Sequence, residues 1–228
     1  VLLLPLEEPL VRRVAMNMRA MDRAEIYATR WREDPADVAR DSVLLSRFGF
    51  VCASDRDGEP ISAIGAAELW PTMWSVWMFA TDRWPEVALA ATRLVRRVLV
   101  PQLLEAGARR AECRALASHR QAHRWLKLLG ARREFRVRDF GKNGEDFVSF
   151  VWRREDVCTG SGCAAAERRG AGRRRSRRSP AADGAVRGSG FEAARGAIER
   201  ANAAIRQRHD GHQDADGTVS GETGKCAS

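Results

Sequence analysis

His119 and His123 stand four residues apart in HRQAHRWLKLLG, the one-turn spacing at which two imidazoles on a helix can share a metal ion. No acidic residue close by in sequence completes a ligand set, so the pair reads as a helix cap and a surface histidine. Cys158 and Cys163 bracket TGSG, and their possible zinc partners His209, His212 and Cys226 are scattered through polar sequence. Tetrahedral sites pair their ligands two to four residues apart on both sides, and no metal site is expected. Cys52 and Cys113 lie in apolar, strand-like runs, and an odd total of five cysteines without repeated spacing fits buried free thiols in a reducing compartment. Trp70, Trp74, Trp77 and Trp84 could stack on nucleic-acid bases, yet the alternating apolar neighbours of Trp77 are those of a strand packed on helices. Core packing is expected for them, with one of Trp70, Trp74 and Trp84 at an exposed rim where a partner docks. Arg173, Arg174, Arg175, Arg177 and Arg178 form a patch that attracts any polyanion, DNA included, with an affinity that falls as salt rises. A solvated linker accounts for the same run equally well.

The elements that must position these groups are bounded by the aromatic residues, because a sizeable core cannot be closed without them. All seven Trp lie between Trp31 and Trp152, and seven of the eight Phe precede residue 151, leaving only Phe191 beyond. One domain over 1–157 is expected, followed by a disordered basic Arg/Gly/Ala-rich tail over 158–228 with one possible short helix at 191–208. Basic and acidic residues number 26 and 22 in the first segment and 13 and 8 in the second, so the tail is the more basic per residue. No run reaches the roughly 18 apolar residues of a membrane span. VLLLPLEEPL, broken by Pro5, Glu7, Glu8 and Pro9, reads as neither signal peptide nor anchor and is given no structural assignment.

Periodicity then sets the order. MRAMDRAEIYATR places Met18, Met21, Ile26 and Tyr27 among charges in a helical pattern, and Asp34 caps a second helix that begins at Pro35. FGFVCAS and PISAIGAAELW read as a hairpin about Asp57 and Gly58. WSVWMFATD is apolar throughout, as a strand buried on both faces would be. Pro85 opens the longest helix, which Pro101 should kink or divide and Gly107 should end. AECRALA is a short strand, HRQAHRWLKLLG a helix stopped by Gly130, and REFRVRDF with FVSFVWR a closing hairpin. The fold class is therefore mixed α/β.

This order resembles the GNAT fold of acetyl-CoA-dependent N-acetyltransferases over about residues 10 to 153, with a mostly antiparallel central sheet flanked by helices. The family often reads N-x-x-A-x-x-F-Y-x-x-x-G-F where this chain places His119, Ala122, Trp125, Leu126, Gly130 and Ala131. His119 thus stands where Asn is usual, and Leu126 where the family often has the Tyr that protonates the leaving thiolate. The resemblance implies, for an active enzyme, Glu68, Asp82 and His119 as candidate catalytic groups and Met78, Ala80, Arg83 and His119 as candidate acetyl-CoA contacts. The family's phosphate loop, R/Q-x-x-G-x-G/A, is replaced by TDRWPEVA, which has no glycine, a proline without an N–H, and two acidic residues.

MRAMDRAEIYATRW, SVWMFATD, HRQAHRWLKLLGA and GKNGEDFVSFVW also resemble the small GNAT-like virion and assembly proteins of short-tailed bacteriophages, the internal virion protein A family. That likeness implies a virion component on a degenerate, non-catalytic domain without a cofactor, partnered by other virion proteins and by DNA through the tail, in the host cytoplasm during assembly and then in the virion. Two further functions stay open. One is a divergent acetyl-CoA-dependent N-acetyltransferase, and the other a nucleic-acid-binding accessory protein working through the basic tail.

Overall fold

A strand covered on both faces must be apolar along its whole length, and the stretch from Pro60 to Ala66 is buried at every position. It lies within a seven-stranded sheet in the computed structural model, which describes residues 1–158. The elements run β1 (Leu2–Pro5), α1 (Glu8–Met16), α2 (Ala20–Ala28), α3 (Pro35–Leu45), β2 (Phe48–Ala53), β3 (Pro60–Trp70) and β4 (Met73–Ala80). There follow α4 (Trp84–Leu94), a π-helical turn (Val95–Leu99), α5 (Val100–Glu105), β5 (Arg110–Leu116), α6 (Arg120–Leu128), β6 (Arg132–Val137), β7 (Phe147–Arg153) and α7 (Arg154–Cys158). The sheet order is β1-β2-β3-β4-β5-β7-β6, antiparallel except between β4 and β5.

Each face of the first four strands closes a separate core. Phe50, Ile64 and Trp74 pack with Trp84, Val87 and Leu94 beneath α4, while Val51, Ala63 and Phe79 pack with Val11, Val14 and Val38 beneath α1 and α3. Phe48 stacks on Trp74, and Trp77 on Phe79. Gly65 is required by the Trp77 indole, which lies so close that a β-carbon there would sit 2.4 Å from the ring. Asp34 caps α3 as expected, its carboxylate accepting the Ala36 N–H at 2.8 Å. Of the strand-end tryptophans Trp70 is exposed, whereas Trp74 and Trp84 are buried.

Two sequence expectations change, and a third, the division of the long helix at Pro101, is met. The unassigned opening residues form β1 and α1, with Pro9 in the first turn of α1, where its missing N–H costs nothing. The longest helix is divided at Pro101 by a π-helical turn, which shifts the hydrogen-bond register before the proline ring. And β4, read as buried on both faces, is only half-buried from Ser75 to Met78, because its neighbour leaves it.

Candidate active-site wedge

Met73–Ser75 pair with Arg110–Glu112, and no further residues of β4 and β5 are joined. Beyond Ser75 the strands part and enclose a cleft of about 450 Å³. Alternation along the strands gives its two sides different chemistry. Val76, Met78, Cys113 and Ala115 face the helices α4 and α6, where Leu99, Leu103, Trp125 and Leu129 complete an apolar wall. Trp77 and Glu112 face the side of α2, where Glu25, Arg114 and Phe140 are polar or exposed neighbours.

Helix α2 lies across the open end as a strut. Asp22 Oδ2 accepts the Ala80 N–H at the end of β4 (2.7 Å), and Glu25 Oε2 accepts the Leu116 N–H at the end of β5 (2.6 Å). The Arg19 N–H in turn donates to the Ala80 carbonyl at 2.9 Å. The Ala80 amide and carbonyl therefore point away from β3, and by the two-residue repeat of a strand Val76 and Met78 direct theirs to the same edge, into the wedge.

Between the two carboxylates sits His119, only 4% exposed, with Nδ1 3.1 Å from Glu25 and Nε2 3.6 Å from Asp22. Burial raises the Asp22 carboxyl above its ordinary range, and the Arg19 guanidinium, gripping it through Nε and Nη2, pulls it back. Arg19 stacks over the Trp84 ring, and its Nη1 is buried at the wedge without a hydrogen-bond partner. Trp84 meets Trp125 edge-on, and Trp125 Nε1 donates to Thr92 Oγ1 at 2.9 Å, which ties α6 to α4. His123 is not a surface group. It is half-buried, donates Nε2–H to the Leu116 carbonyl at 3.0 Å, and is pushed below its ordinary pKa by burial. His119 occupies the residue before α6 but makes no capping hydrogen bond through its side chain. Burial also raises the thiols of Cys52, to about 12, and of Cys113.

The turn after β4 is bonded locally from Arg83 onward. The Arg83 N–H donates to Thr81 Oγ1, those of Trp84 and Glu86 donate to the Thr81 and Arg83 carbonyls, and Pro85 has none. The Arg83 guanidinium is held by Glu86 and Asp57. Met78 and His119 thus line the wedge, while the Ala80 amide is occupied by Asp22 and Arg83 is engaged outside. Glu68, ion-paired with Arg47 at the exposed end of β3, and Asp82, exposed in the turn, lie away from the cleft. Among the described residues no group of three metal-ligating side chains comes together. Arg173, Arg174, Arg175, Arg177 and Arg178, and the helix expected over 191–208, lie outside the described residues.

Arg19, Asp22, Glu25 and Glu112 were not singled out by sequence. The first three carried a signal, a polar stripe at three-residue spacing that runs from the residue before α2 along one face of it, masked by Met21 between them.

No protein-family model matches the chain, and no curated protein matches it. Solved structures do. AAC(6')-Ib in complex with ribostamycin and coenzyme A is 19% identical, with 71% of this chain and 97% of that one covered at a TM-score of 0.53. The protein smu.2055 from Streptococcus mutans UA159 is 12% identical over 67% and 99%, TM-score 0.53. The ribosomal-protein-S5-alanine acetyltransferase from Vibrio fischeri is 13% identical over 68% and 93%, TM-score 0.50. With its parted parallel strands, central meander and flanking helices, the described part of this chain has the GNAT-like acetyltransferase fold.

Proposed function

We propose that this protein is a divergent N-acyltransferase, moving an acyl group from a thioester to an amine within the wedge between β4 and β5. The observation that carries this reading is the two-sided chemistry of the cleft. A flexible acyl-thioester arm suits the apolar wall and the edge amides of Val76 and Met78, and an amine suits the opposite side beside Glu25, where Glu112 is already neutralised by Arg110 and Arg114. One of the similar structures holds ribostamycin and coenzyme A.

Acetyl-CoA as a whole does not fit. Its diphosphate requires free backbone donors at the start of α4, and those of Arg83, Trp84 and Glu86 are bonded within the turn. The thioester, however presented, supplies an activated carbonyl, and the remaining work falls to the chain. The bound ammonium first gives one proton to solvent. With Glu25 holding the Nδ1 side of His119, Nε2, which lies 3.6 Å from Asp22, then takes a second proton from the amine as its nitrogen bonds to the acyl carbon. The same proton goes to the sulfur as the C–S bond breaks, so amide and thiol leave with no net proton gained. Arg19 Nη1 offers a buried N–H to an oxygen of the ligand.

The test is amine-dependent thiol release from acetyl-pantetheine, a donor without nucleotide. Wild type should turn over, and His119→Gln should lose about 10²- to 10⁴-fold in kcat, the usual contribution of general acid–base catalysis. No release above the uncatalysed rate overturns the reading, and full activity in His119→Gln removes the histidine from it. A contact role in a phage virion, or nucleic-acid binding by the tail, rests on short sequence segments and on residues outside the described ones, and no feature of the wedge calls for either.

A further inference from the structure

The two helices that wall the apolar side of the wedge carry cations on their outer faces. Arg93, Arg96 and Arg97 on α4 and the π turn, and Arg120, Arg124 and Lys127 on α6, are all exposed, and none has an acidic partner among the described residues. No Asp or Glu occurs from Val87 to Leu104 or from Ala117 to Arg133. Elsewhere on the domain arginines are commonly neutralised, as Arg110 and Arg153 are by Glu134 and Arg136 is by Asp146. The two helices touch through Trp125 and Thr92, so the cations flank one seam. Each helix also exposes a leucine, Leu89 and Leu128, both at 63%. Cations around isolated apolar side chains make a surface for an acidic protein.

Resting on the acyltransferase reading, we infer that the acyl donor is an acidic carrier protein that docks on this α4–α6 face and feeds a phosphopantetheine-borne thioester into the wedge. Such a donor has no nucleotide diphosphate, so the locally bonded amides of Arg83, Trp84 and Glu86 are no obstacle to it. Its recognition moves from backbone amides to the outer cations. A nucleic acid is disfavoured here because the tryptophans of these helices, Trp84 and Trp125, point into the packing and offer no stacking platform.

The experiment compares acetyl-pantetheine, acetyl-CoA and an acetylated acidic carrier protein as donors for the full chain, with wild type and with Arg93→Glu/Arg97→Glu/Arg124→Glu. The carrier should exceed acetyl-CoA by about tenfold or more in kcat/KM, and charge reversal should remove that advantage while leaving acetyl-pantetheine turnover unchanged. Turnover of acetyl-pantetheine with no preference for the carrier, or an equal loss for all donors in the variant, overturns the docking and leaves the acyltransferase reading standing. If no donor is used, that reading falls, and calorimetric titration decides the docking separately. Salt-sensitive binding of carrier protein to wild type and not to the charge-reversed variant supports it, whereas binding to neither, or equally to both, ends it. Preferential binding of duplex DNA over the carrier likewise ends it.

Discussion

The turn after β4 and the wedge beside β4 are built from adjoining residues, yet one is closed and the other open. In the turn, the amides of Arg83, Trp84 and Glu86 and the guanidinium of Arg83 are consumed by local hydrogen bonds and ion pairs. In the wedge, strand edges and side chains are left facing a cleft. A nucleotide seat and a splayed sheet are therefore separable features of this fold. Across the splay α2 bridges the ends of both strands, through Asp22 to β4 and through Glu25 to β5.

Breaking that bridge is the most direct way to test the contrast. Asp22→Ala leaves the largely buried Arg19 guanidinium without its counter-ion and the Ala80 N–H without its acceptor. A loss of about 3–5 kcal/mol in unfolding free energy is expected, read by urea denaturation. A loss within error of zero would show that α2 is an ornament on the wedge. At the other end, Glu25→Ala removes a charged acceptor from the Leu116 N–H and from His119. Its expected cost is smaller, about 1.5–3 kcal/mol. The same substitution should free Leu116, so hydrogen exchange there should accelerate more than at Ala80; the reverse order would refute separate anchoring of the two strands.

The sequence made the strands and helices legible wherever one residue type dominates one face. The hairpin of β2 and β3 followed from apolar runs about Asp57 and Gly58, and Pro101 marked the place where the long helix changes register. Pro5 and Pro9 mislead because proline ordinarily interrupts a helix or a sheet. In fact Pro5 sits on an edge strand, where a missing donor is tolerated, and Pro9 starts a helix. The site was much less legible. An apolar β4 looks the same whether its neighbour continues beside it or departs after three residue pairs, since the parting is a tertiary event. Asp22 is 3% exposed within a helix whose Met21 is 38% exposed, the opposite of what hydrophobicity alone suggests. Its burial makes sense only once the Ala80 amide and Arg19 are beside it. His119 was found by its spacing, but its place between two carboxylates depends on α2, almost a hundred residues earlier in the chain.

The smallest effect expected is a pH dependence at the β5 end of the wedge, where His123 donates to Leu116. Burial lowers its pKa below the ordinary 6.5; the hydrogen bond to Leu116 and the charge of Glu25 oppose this, while His119 and Arg133 reinforce it. Between the folded value and 6.5 the unfolded chain binds more protons than the folded one, so stability rises with pH through that window. The contribution is whole above 6.5 and declines as pH falls below it. Thermal melts from about pH 7.5 to about pH 5.5 should show wild type losing more than His123→Gln, which carries no titrating group at that position. Since His119 and the carboxylates are common to both proteins, the difference between the two slopes isolates His123. Parallel slopes would mean that the imidazole is as easily protonated in the folded protein as in the unfolded chain, and that the β5 end of the wedge is wetter than its packing against Phe150 implies.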